Sequence, residues 1–126
     1  MWVEYLRHGA SGPAAELDAR IDGREVVTCG PVVAEILAGT SGADRERVAN
    51  VLRALPWIEL TRPLWLRAGA LAAELRAGGG AVPLTDVEIA VTAISGEATL
   101  WTADSDFQRI VALEPELSLR PFGHRA

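Results

Sequence analysis

Three aspartates fall within residues 83–110, PLTDVEIAVTAISGEATLWTADSDFQRI, and their spacing gives them a common use. Asp86 stands at the entry of an expected helix, and Asp104 and Asp106 follow the apolar strand ATLW. In an α/β domain, this order of helix, strand, turn and helix brings all three toward one sheet edge. Carboxylates gathered there repel one another unless a hard divalent cation offsets their charge. The chemistry to look for is therefore that of a carboxylate-held metal ion.

Asp86 precedes Ile89, Ala90 and Ala93 at offsets of 3, 4 and 7, so the helical period turns its carboxylate toward the core side. Glu88, two positions on, is expected on a solvated face. The plain alternative for Asp86 is a first-turn acid favoured by the helix dipole, with Thr85 or Asp86 itself as the cap. Glu35 is the only charge in residues 29–41, which are otherwise apolar or small. A lone carboxylate among such neighbours needs a metal, a pairing partner or a solvent-facing position. Asp104 and Asp106 follow a strand, where ligands of open parallel sheets collect. Either could instead cap the helix beginning near Phe107, but two acids at i and i+2 exceed what a cap requires. Thr102 could hydrogen-bond one of them or a metal-bound water, or serve as an ordinary strand residue.

Other reactive side chains carry less. His8 and His124 have no ligand spacing and no paired Ser or Cys, and read as surface residues. Ser11, Ser41, Ser95 and Ser105 lie in no nucleophile motif. Cys29 sits in an apolar strand and reads as a small buried hydrophobe, and a single cysteine excludes a disulfide framework or thiolate cluster. The four Trp are not interleaved with Arg, so they read as core or interface rather than base-stacking platforms.

A chain of 126 residues is one domain, expected to span 1–126, and is long enough to bury most of its apolar surface. With 49% hydrophobic and 23% charged residues it is expected to be compact and soluble. No apolar run approaches the roughly 20 residues that cross a bilayer, and Trp2, Glu4 and Arg7 do not make a signal peptide, so the expected location is the cytoplasm without a membrane partner. A net charge of −5 means that the overall field will not draw in nucleic acid. Any polyanion would need a local Arg patch and cations over the acids.

The elements that must position the acids alternate. Helices are expected at residues 2–7, 13–21, 31–39, 43–55 and 63–77, besides those carrying Asp86 and Phe107. Strands are expected at 25–29, 57–60, 98–101 and 117–122. Pro31 and Pro63 suit helix starts, while Gly39 and residues 78–80 (GGG) stop helices. Within 43–55, Val48, Val51, Leu52 and Leu55 share a face, and within 63–77 the stripe is Leu64, Leu71 and Leu75. Strands alternating with helices imply an α/β fold with a mostly parallel sheet covered on both faces.

Taken in order, WVEYL at residues 2–6, PVVAEILAG at 31–39, Asp86 with Ile89 and Ala90, and TADSDF at 102–107 resemble the PIN domain, and within it the VapC-like toxins of toxin–antitoxin pairs. The pieces span nearly the whole chain, and their combination is more specific than any one of them. The resemblance implies a three-layer α/β/α fold and a Mg²⁺- or Mn²⁺-dependent endoribonuclease. It implies Glu35, Asp86 and Asp104 as metal ligands, Asp106 at an accessory position and Thr102 in support. It also implies an RNA substrate, a small cognate antitoxin, and a homodimer or toxin–antitoxin hetero-oligomer.

The sequence departs from the family at the front. The family begins with a short apolar strand ending in Asp, directly before the helix that here starts at Trp2, and this chain shows neither. The expectation is a PIN-like domain lacking its first strand, either through a start set too late at Met1 or through true truncation. The rival reading is an impaired or inactive toxin that acts only by binding an antitoxin.

Overall fold

The computed structural model describes residues 26–102 and 105–121. Five helices and two strands follow in order: α1 (Gly30–Ala38), α2 (Gly42–Ala54), α3 (Arg62–Ala77), α4 (Leu84–Ser95), β1 (Thr99–Thr102), α5 (Asp106–Leu113) and β2 (Ser118–Pro121). The expected helices at 2–7 and 13–21, with His8, His124, Trp2 and Tyr5, lie outside the described residues, as does Asp104.

The helix boundaries follow local chemistry. Pro31 opens α1 and Pro63 opens α3, where a missing N–H removes no helical bond. Gly39, Gly78 and Gly96 close α1, α3 and α4, each donating its N–H back to carbonyls of the last turn. None of these helices has a side-chain N-cap bond, so tertiary burial carries most of their stability.

That burial centres on α4. Val87, Ile89, Ala90, Val91, Thr92 and Ala93 are all buried, so the helix is covered almost all round. Leu71 and Leu75 of the expected α3 stripe are buried against it, and Leu64 packs on the edge of the same cluster. Leu71 is fully inaccessible, which contributes roughly 1.5–3 kcal/mol by the usual value for a buried Leu. Ile36, Val48 and Leu52 form a second cluster that ties α2 to α1, and Val32 touches both clusters. Val51 departs from expectation and stands exposed, because α2 meets the body along a narrow stripe at positions i and i+4 only.

The strands are parallel, as expected. β1 and β2 pair in register from Thr99 opposite Ser118 to Thr102 opposite Pro121. The strands expected at 25–29 and 57–60 shrink to one parallel bridge between Thr28 and Trp57. There the Thr28 N–H donates to the Pro56 carbonyl at 2.9 Å and the Ile58 N–H to the Thr28 carbonyl at 2.8 Å. Pro56 has no N–H to extend this ladder backwards, and the chain turns away toward α3 beyond Leu60. Among the described residues the bridge and the β1–β2 pair are not joined by hydrogen bonds. A small open cleft lies between them, with Ile89, Thr92 and Ala93 of α4 along its wall.

The fold is thus a helix-rich α/β arrangement with parallel strands. Among the described residues no helix is long and apolar enough to cross a membrane.

Candidate metal centre

Two helices bring acids toward each other. Glu35 lies in the second half of α1, beside the buried Ile36, and its side chain is exposed. Asp86 and Glu88 lie in the first turns of α4, which contacts α1. The packing that joins α1 to α4 through Val32 and Cys29 is therefore also what brings Glu35 near the start of α4.

Asp86 is only 9% exposed. Pro83 occupies the N-cap of α4 without a side-chain cap bond, and Asp86 stands three residues later in the first turn. The helix dipole favours an acid in this turn. Ile89, Ala90 and Ala93 are buried with it, as their offsets predict.

Glu88 corrects the sequence reading. It was expected on a solvated face, but it is half-buried. Burial first, and then the charge of Glu35, push its carboxyl above the ordinary value of 4.5. The correction follows from α4 being buried on nearly every side, so that an acid off the core face meets α1 rather than open water. The near-continuous apolar composition of residues 84–95 was the available signal.

Cys29 caps the start of α1 next to these acids and is buried, as expected. Burial raises its thiol pKa, the Val32 backbone N–H at the sulfur opposes this, and the charges of Glu35 and Glu88 raise it further. The group is a protonated thiol, not a thiolate ligand.

Thr102 ends β1 half-buried, and Asp106 opens α5. Ser105 holds the N-cap position without a side-chain cap bond. Asp106 accepts from Arg109 Nη1 at 3.4 Å, one helical turn on. That pair is partly exposed and contributes little to stability.

The donor set is made of carboxylate oxygens, which suit Mg²⁺ or Mn²⁺, and the mutual charge of Glu35 and Glu88 is what a cation would relieve. The chemistry fits such an ion. Among the described residues no three His, Cys, Asp or Glu side chains close into a complete metal-binding group.

A family model of the PIN domain matches residues 1–113. Among solved structures, a chain from the VapBC2 crystal structure of Rickettsia felis, bound to a DNA fragment from their promoter, is 28% identical. The alignment covers 76% of this chain and 74% of that one, with a TM-score of 0.60. No curated protein matches this chain.

Proposed function

The chain belongs to the PIN domain family, and on that footing we propose that it is the toxin of a toxin–antitoxin pair, cutting RNA with Mg²⁺ or Mn²⁺. PIN domains are generally nucleases and generally depend on divalent metal. The observation that carries the proposal is Asp86: a carboxylate at 9% exposure in the first turn of α4, beside the buried Val87, Ile89 and Ala90.

Asp86 and Glu35 would hold the ion from facing helices, with Asp104 as the third ligand and Asp106 at its margin. When bound, the ion would offset carboxylate and phosphate charge, lower the pKa of a bound water and polarise the scissile phosphate. Asp106, which accepts from Arg109, would orient water near the phosphodiester. Thr102, at the end of β1, would support the acids from the strand side. Glu88 would sharpen the local negative field, making an empty site less stable than a filled one. Purified folded chain is expected to cleave RNA when Mg²⁺ or Mn²⁺ is present and to stop when EDTA removes the ion. An intact RNA pool with either ion counts against the proposal.

A small antitoxin is the corresponding partner, supported by the likeness to a VapBC2 chain. A homodimer is proposed through the outer face of α3, where Trp65 is 51% and Leu66 is 72% exposed. The second reading is a non-catalytic antitoxin-binding protein. It predicts antitoxin binding without RNA cleavage or manganese uptake.

A further inference from the structure

Arg109 pairs with an acid of the proposed metal centre and has donors to spare. It lies on the exposed side of α5, one turn after Asp106, and its Nη1 donates to Asp106 Oδ1 at 3.4 Å. Among the described residues that is its one polar contact. The bond is long and the Arg109 side chain is 57% exposed, so the pair holds the guanidinium only weakly. A guanidinium carries five N–H donors in a planar fork, and one long bond leaves most of that fork open to a second acceptor.

A second observation places the same side chain. A Cβ at Gly80 would lie 3.6 Å from Arg109 Cδ, so the aliphatic stem of Arg109 passes over Gly80. Gly80 ends the glycine run that joins α3 to α4, shortly before the Pro83 N-cap. Its N–H donates to the Leu75 carbonyl at 3.0 Å and Gly79 takes a φ of 80°, so the turn is tied to the end of α3. With no side chain at Gly80, nothing lifts the stem off the turn. Arg109 thus reaches from α5 to the connection that leads into α4, and these two helices carry Asp106 and Asp86. A packed stem limits the swing of the charged head, which lowers the ordering cost of any contact the head makes.

We propose that Arg109 is a substrate-binding residue, whose guanidinium takes the non-bridging oxygens of an RNA backbone phosphate beside the metal centre. The inference rests on the nuclease reading. At a net charge of −5 the whole molecule repels RNA, so a cation fixed beside the acids supplies a local attraction that the overall field lacks. Arg suits this better than Lys because its fork meets two phosphate oxygens at once. The weak bond to Asp106 steadies the head while the site is empty and is readily given up when phosphate arrives. The contact is to the backbone, so it adds affinity without base preference.

Fluorescence anisotropy with the full chain and a labelled oligouridylate tests the assignment, with Ca²⁺ as the cation and the strand checked for integrity. Arg109→Met is expected to weaken binding about tenfold. It should also lower the slope of log affinity against log salt by about 0.7, the value for one phosphate of a single strand. Arg109→Lys is expected to keep the parent's slope. If Arg109 acts only by holding Asp106, Asp106→Asn loses the same affinity and adding Arg109→Met to it changes nothing further. That result, or parental affinity and slope in Arg109→Met, overturns the assignment and leaves the nuclease reading standing. A folded parent that binds no RNA overturns both.

Discussion

Asp86 and Glu88 are two residues apart and behave differently because α4 turns them toward different neighbours. Asp86 faces the core side with Ile89 and Ala90, so its charge is tolerated only with strong local compensation. Glu88 faces α1, where burial and the Glu35 charge favour its protonated form. The direction of the pH effect follows from that raised value. Below the ordinary 4.5, Glu88 is protonated in folded and unfolded chains alike, and its contribution to stability is fully present. As pH rises through the raised folded value, ionisation is harder in the fold than in the unfolded chain, and stability is lost. In metal-free protein, Glu88→Gln is therefore predicted to gain stability over the parent as pH rises above 4.5, and urea melts across acid to neutral pH will show it. A constant difference at all pH values would refute the assignment. Cys29 offers a simpler check at the same scale. Burial holds its thiol protonated, so it should react with a thiol reagent only in unfolding conditions. Rapid labelling of the native chain would place it elsewhere.

At the scale of elements, α4 would support the proposed site, and its fixed ends matter as much as its buried face. A Cβ at Gly96 would collide with the Ile58 side chain, drawn close where α4 ends beside the Thr28–Trp57 bridge. Gly96→Ala is predicted to lower stability by about 1–3 kcal/mol in urea denaturation, and a neutral result would show that Ile58 moves aside freely. Leu71→Ala, removing a fully buried side chain between α3 and α4, is predicted to lose about 2–5 kcal/mol. Helix ends, core stripe and the inward turn of Asp86 were legible in the sequence because proline, glycine and the 3.6-residue period act locally. The place of Glu88 was not, since it depends on which helix lies across from α4. The short strand at 57–60 was overestimated for a related reason. Pairing there is decided by a partner strand, and only Thr28 comes within reach. Val51 looked like a core residue by spacing, but the narrow contact of α2 leaves it in water.

For the whole molecule, a net charge of −5 sets the conditions for any nucleic-acid substrate. RNA would approach against the overall field, so binding would rely on local Arg side chains and on cations at the acids. Arg109 beside Asp106 is one such local positive group. The outer face of α3 carries the other whole-molecule expectation. Leu66→Ser should change folding stability by no more than about 0.5 kcal/mol, since the side chain is 72% exposed. If the proposed homodimer uses this face, the same change should shift the chain toward monomer in sedimentation, and an unaltered distribution would move the interface elsewhere.

Asp86 is the proposed metal ligand buried deepest among the described acids, and calorimetric titration with manganese tests that role most directly. The folded parent chain is predicted to take up Mn²⁺ measurably, and Asp86→Asn to weaken uptake at least about tenfold while retaining the parent fold by circular dichroism. Equal manganese affinity in the two proteins, or no uptake by a folded parent, would contradict the assignment of Asp86 to the metal.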